Sequence, residues 1–281
     1  MYTKLIKQEI SSFPLSFRLL QQEAILTKSC IMIGIEYLLK GNFDDYHKGS
    51  YYSSFFQLSI GFERIMKLIV ISNYMMENNY SPIPENELRK RGHRLINLHE
   101  ELKKTAIKYP DSNISEINKQ SIDFDLLLFL DNFALSTGRY YNISNLKQET
   151  VLDPLITWQA LITRIKREDF TEKIRYNVET ITFQNIDIGL QLDDIVNNTG
   201  YVKDVHSFFS TQRANHFVVW HLMNLLIPLA KLLDSISMKC HESQTKSKKY
   251  DYPPFPYYGE IFDFIYLSKK QIMSKKRWHI I

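Results

Sequence analysis

Three places in this chain offer candidate chemistry, two as arginine–histidine pairs and one as arginine alone. Arg213 and His216, in Thr-Gln-Arg-Ala-Asn-His, are three residues apart and would face the same way on a helix. His221 follows eight residues after Arg213, about 80° past two helical turns, on the same broad side. Arg94 and His99, in Arg-Leu-Ile-Asn-Leu-His, are five apart, about 140° around a helix, and share a face poorly. Arg139, in Arg-Tyr-Tyr-Asn, has no histidine in the seven residues that follow it. Such residues suffice for one reaction without a metal. Histidine, with a pKa near neutrality, can take the proton of a ribose 2′-hydroxyl, and arginine can stabilise the charge of the phosphorane that forms. Arg213 with His216 is the leading catalytic pair and Arg94 with His99 the second. Arg139 and His221 fit contacts to RNA. Each has a plainer reading beside it: His216 and His221 as core or boundary histidines with satisfied nitrogens, and Arg139 as a solvated arginine beside a packed tyrosine-rich loop.

Stronger enzyme signatures are missing from the sequence. It has no phosphate-binding glycine loop, no His-Glu-x-x-His, no nucleophile elbow and no paired cysteines. Asp44, Asp45 and His47 are metal-ligand types without a ligand spacing, and read as a solvated loop. No cofactor and no metal is expected.

The elements that must position these residues read as helices throughout. The composition is 44% hydrophobic and 23% charged, ordinary for a globular chain, and only nine Gly and nine Pro favour long elements with few turns. Phe55, Leu58, Phe62, Ile65 and Ile69 fall at helical steps, with Glu63 and Lys67 as an i,i+4 pair on the flank. That helix breaks at Asn78, Asn79 and Ser-Pro-Ile-Pro, and a second stretch carries Gly92-His93 with Leu95, Leu98 and Leu102. An earlier helix over 15–40 shows a face of Leu26, Cys30, Ile33 and Tyr37. A helix over about 121–136 follows, and Asp153-Pro154 starts another with Leu155, Trp158, Ile162 and Ile165 on one face. Helical spacing continues over 171–196, against a weaker β pattern at 179–184. Asp204 can cap a long last helix whose seam is Val218, Leu222, Leu225, Leu229, Leu232 and Ile236, kinked by Pro228.

The stretch Phe55–Leu102, an amphipathic helix with a Glu-x-x-x-Lys flank, a Pro-containing loop and then Gly-His-x-Leu-x-x-Leu, resembles the HEPN domain (higher eukaryotes and prokaryotes nucleotide-binding). The resemblance covers roughly residues 20–145. It implies a helical bundle that is often a homodimer, and for many members a ribonuclease of bacterial defence or toxin systems that uses Arg-x(4–6)-His. Arg139-Tyr140 matches an Arg-Tyr that many members carry after this region. At Arg213 the family's Arg-Asn-x-x-x-His is altered, with asparagine displaced to Asn215 and histidine early at His216.

The expectation is an all-α, HEPN-like helical bundle with additional C-terminal helices. A single domain would span 1–240, with a core over about 15–145 and an extension over 151–240. Residues 241–281 would be a basic, Pro/aromatic linker and a short helix. From Lys239 onward there are nine Lys or Arg against four Asp or Glu, while the body is nearly neutral. That tail, with Tyr257, Tyr258 and Trp278, suits either RNA contact or a solvated end. Cys30 and Cys240 read as free buried thiols of a reducing compartment, and neither a leader nor a membrane span is expected, so the chain is placed in the cytoplasm. The partners would be RNA, an antitoxin or other protein, and a second copy. The other class of function is a non-catalytic helical module that binds a partner protein, a nucleotide or RNA.

Overall fold

A computed structural model describes residues 13–112, 114, 116–135, 146, 153–186, 199–247 and 254–278. Among the described residues there is no strand, and ten helices are delimited. In chain order these are α1 Leu15–Lys40, α2 Lys48–Glu77, α3 Glu85–Lys90, α4 Leu95–Ala106, α5 Ile122–Ala134, α6 Pro154–Glu168, α7 Glu172–Asn185, α8 Thr199–Ser247, α9 Tyr258–Ile261 and α10 Lys269–Ser274. The all-α expectation therefore holds, and the β pattern at 179–184 lies inside α7.

Local chemistry explains where the helices begin and end. The Ser121 hydroxyl accepts the Phe124 N–H, and Asp153 Oδ1 accepts the Leu155 N–H at 2.8 Å with Pro154 in the first turn. Thr171 caps α7 in the same way. Each cap satisfies a backbone donor that the helix itself cannot. At the end of α2 the backbone turns left-handed at Asn79 (φ 50°) and Tyr80 (φ 62°), where the sequence showed its break. Gly92 (φ 66°) makes the turn into α4, a conformation that costs glycine nothing.

α2 is the centre of the core. Phe55, Leu58, Phe62, Ile65 and Ile69 are all buried, as their spacing predicts. α1 lies along it so closely that a Cβ on Gly34 would come within 2.7 Å of Leu58, and one on Gly61 within 2.7 Å of Ile31. That contact overturns the expected face of α1. The buried side is Ala24, Thr27, Ile31, Ile35 and Leu38, whereas Leu26 and Tyr37 are exposed and Cys30 and Ile33 half-buried. Both sides of α1 are apolar, and the close approach of Gly61 of α2 to Ile31, with Gly34 on the same buried side, decides which one meets α2.

The second half adds to the same core. One buried cluster runs from Leu20 on α1 to Trp278. α8 contributes its whole expected seam, from Val218 to Ile236. It begins at Thr199, so Asp204 lies inside the helix and does not cap it. It also runs on to Ser247 with Pro228 inside, which makes 241–247 helical where a linker was expected. Residues 254–278 then fold back. Phe255, Tyr258, Phe262 and Trp278 are buried, the Tyr258 and Ser72 hydroxyls meet at 3.2 Å, and Ser237 Oγ donates to the Pro256 carbonyl. This segment is no solvated end, because its aromatic side chains outweigh its lysines. Val202–Gln244 is long and apolar enough to cross a membrane, but 61% of its most apolar window is buried in the fold, which accounts for that hydropathy.

Because the α1–α2 approach leaves no room for a side chain, Gly61→Val will force Ile31 to shift and lower stability by ~1–3 kcal/mol. Gly49→Ala, in open space on the first turn of α2, will leave it unchanged or raise it by up to ~1 kcal/mol. Urea unfolding of both variants checks the pair, and an unmoved midpoint for Gly61→Val would refute the contact.

Candidate active site

α8 carries Ala214, Asn215 and Val218 inward, all fully buried. Its helical period then turns Arg213 and His216 toward the groove between α8 and α7. A cleft of about 380 Å³ opens there, with Asn177, Gln212, Arg213 and His216 as its polar lining and Val178, Ile181 and Phe209 among its apolar walls. The Arg213 guanidinium lies 5.5 Å from the centre of the Phe217 ring, held by the attraction of a cation for a π face. Among the described residues no carboxylate pairs with Arg213. Burial, reinforced by the positive charges of Arg213 and Lys276, lowers the His216 pKa below its ordinary 6.5. His216 is therefore a neutral ring at pH 7, able to accept a proton, beside a permanently charged guanidinium. The leading pair of the sequence thus shares one cleft.

The remaining candidates are differently placed. Arg94 stands at the N-cap of α4, where its Nη2 and Nε lie 2.6 and 2.8 Å from Asp131 Oδ2. Asp131 is fully buried and its other oxygen takes the Leu95 N–H at 2.6 Å. Arg94 thus neutralises a buried carboxylate that tethers α4 to α5. His99 points inward with Leu95, Leu98 and Leu102, and burial pushes its pKa down to about 4. Five residues of separation put one partner on an ion pair and the other in the core, so Arg94 and His99 form no joint site. Arg139 lies outside the described residues.

His221 has both ring nitrogens occupied. Nδ1 is 2.5 Å from Asp123 Oδ1 and Nε2 is 3.0 Å from Asp169 Oδ2. Burial alone would lower its pKa, yet the two carboxylates outweigh burial and raise it. This doubly bonded imidazole ties α8 to the start of α5 and to the α6–α7 turn, and it has no nitrogen left for a phosphate. Asp44 accepts from the His47 ring at 2.8 Å and from the Tyr46 backbone, while Asp45 pairs with Lys48. The expected 43–50 loop ends at His47, since Lys48 already opens α2, and it is closed on itself; among the described residues no cluster could hold a metal ion. Glu63 pairs with Lys67 at 2.7 Å, as expected, and also with the His93 ring at 2.8 Å.

One group had no signal in the sequence. Lys166 of α6 reaches α8, donating to Ser210 Oγ at 2.8 Å and Thr211 Oγ1 at 2.9 Å, and burial lowers its pKa to about 8. Its partners lie 44 and 45 residues away, beyond any local pattern. No family model, curated protein or solved structure matches the chain.

The His221 clamp predicts a pH dependence of stability. Because the folded pKa is raised above about 6.5, its contribution is complete below that value and fades as pH rises through the folded pKa. His221→Gln will therefore cost most near pH 6, by ~2 kcal/mol, and progressively less at higher pH. Urea midpoints of the two proteins from pH 6 to 9 measure the difference, and a gap that stays constant would show that the ring is not charged.

Proposed function

We propose that this chain is a metal-independent endoribonuclease of the HEPN type, working in the cytoplasm as a homodimer in a bacterial defence or toxin system. RNA would be its substrate and an antitoxin its controlling partner. The family name rests on the sequence resemblance. What carries the activity is a neutral imidazole, His216, lining the same cleft as a guanidinium, Arg213, that has no carboxylate partner among the described residues.

The chemistry follows from those two groups. The unprotonated nitrogen of His216 takes the 2′-hydroxyl proton, and the 2′-oxygen attacks the adjacent phosphorus. Arg213 donates to the non-bridging oxygens, where negative charge grows in the phosphorane. The bond to the 5′-oxygen breaks, and the imidazolium returns its proton to that oxygen. The products are a 2′,3′-cyclic phosphate and a 5′-hydroxyl, and the enzyme is regenerated. A base whose pKa is lowered, chiefly by burial, is already unprotonated at neutral pH, and the neighbouring cations that add to the lowering also attract the phosphate.

Purified full-length chain should cut single-stranded RNA to these ends, and Arg213→Ala or His216→Ala should slow cleavage by ~10²-fold or more. The rate should hold from pH 8 to about 6.5 and fall only when His216 becomes protonated below that. His99→Ala, once shown to be folded, should cleave normally. Intact RNA over a varied panel, with growth unaffected when the chain is expressed, would sink the enzyme and leave a binding module.

A further inference from the structure

We propose that single-stranded RNA binds along α8 as a track, running from the Arg213–His216 cleft to a second cleft at Lys231 and Lys239, with the C-terminal segment as its cationic bank. The proposal takes RNA as the ligand from the reading above but does not require that the chain cut it.

The two clefts lie on one side of one helix. Lys231 is eighteen residues beyond Arg213, which is five full turns and about 27 Å. Trp220 and Asn224 fall within about 20° of the same line. The second cleft, about 630 Å³, is lined by Lys231 and Lys239 together with Lys108, Tyr109 and Tyr266. Two acids also line it. They are Glu242 and Asp234, whose Oδ1 accepts the Gly259 N–H at 2.9 Å.

The C-terminal segment runs antiparallel to α8 and joins the clefts. Ile265 and Tyr266 line the second cleft, the Lys269 amine sits 4.8 Å over the Trp220 ring, and the Lys276 charge is near enough to act on His216. Lys269, Lys270, Lys275, Lys276 and Arg277 are all exposed. Neither these five nor Arg213, Lys231 and Lys239 have a carboxylate partner among the described residues. In the first half Arg89, Lys90, Arg91, Arg94, Lys103 and Lys108 are paired with acids, while the exposed Arg18, Lys104 and Lys119 have no such partner among the described residues but line neither cleft. Salt-bridged cations form a neutral surface, whereas a row of unmatched ones forms a polyanion site.

Rings alternate with the charges. Phe217 and Tyr109 are buried beneath Arg213 and Lys239, and the half-buried Trp220 lies under Lys269, while Tyr266 is 74% exposed and offers an open face. Cations spaced between two clefts, with one open ring at the second, suit a flexible single strand, which can turn its phosphates to the amines and a base to Tyr266. At ~3.4 Å per stacked nucleotide the track holds about eight nucleotides.

The test uses the full chain carrying His216→Ala, which prevents cleavage, and a fluorescent twelve-nucleotide RNA followed by anisotropy across a salt series. Replacing Lys231, Lys239, Lys269 and Lys276 with Gln together should weaken binding at least tenfold and make the log–log salt slope shallower by about 3, since each phosphate contact contributes about 0.7. Tyr266→Ala should cost about tenfold with the slope unchanged. Gln at Arg18 and Lys119, exposed cations that line neither cleft, should change neither affinity nor slope. The proposal is overturned if the four-Gln protein, melting like its parent, keeps the parental slope. It is equally overturned if a trinucleotide binds as tightly as the twelve-mer, or if phosphatidylglycerol vesicles are bound and RNA is not. Binding that follows the track in a chain without ribonuclease activity would uphold the track and reject the enzyme. Cleavage indifferent to the four substitutions would do the reverse.

Discussion

The placement of the site depends on one buried amide, Asn215. Its Oδ1 accepts from the Tyr51 hydroxyl at 3.0 Å and its Nδ2 donates to the Gly41 carbonyl at 2.9 Å, with all three residues buried. Gly41 has to be glycine for the turn to close this tightly, since a Cβ there would lie 2.4 Å from the Tyr51 ring. The next residue, Asn42, donates to the Phe208 carbonyl at 3.1 Å. The α1–α2 turn therefore grips α8 at two points about two turns apart. An unmatched polar group here would cost ~1–3 kcal/mol, so neither sliding nor rotating α8 is cheap. A helix is stiff over a single turn. Fixing Asn215 inward fixes Arg213 and His216 toward α7, and the orientation of the candidate site is a consequence of a structural hydrogen bond.

The same end of α8 carries the other polar ties, Lys166 on Ser210 and Thr211, and His221 between Asp123 and Asp169. Beyond His221 the helix becomes an apolar seam through Ile236. The division has a physical meaning. Apolar packing is tolerant of small rotations, while charge-assisted hydrogen bonds are directional and specify one arrangement. The part of α8 that presents Arg213 and His216 is held mainly by the directional bonds, and the part beyond His221 mainly by hydrophobic contact.

Much of the fold was legible locally. Asp153-Pro154, Ser121 and the Asn78-Asn79 break are decided within four residues, and the α2 face needs only its own period. The α1 face was not legible, because Leu26–Tyr37 and Ala24–Leu38 are both apolar and only the approach of Gly61 from another helix selects between them. The C-terminal segment misled by composition. Its lysines are spread over the surface, but Phe255, Tyr258, Phe262 and Trp278 find the core, and no local pattern shows that a core is waiting for them. Likewise His221 and Arg94 carry the residue types of a site, while the acids that engage them lie 98, 52 and 37 residues away.

Those distant acids also sort the candidates. A histidine or arginine bonded to a buried or half-buried carboxylate cannot leave it for a phosphate without stranding that charge, at a cost of several kcal/mol. Arg94 and His221 are bound in this way. His99 is closed off differently: inside the core its ring sheds its proton only in a place where no substrate arrives. Arg213 and His216 escape both conditions. They line an open cleft, their nearest described electrostatic neighbours are another cation and a ring, and the one is charged where the other is neutral. A stable fold gains little from holding two basic groups together without an acid to match them. An incoming anion would supply the missing charge, and the arrangement makes physical sense as a site that is completed by its substrate.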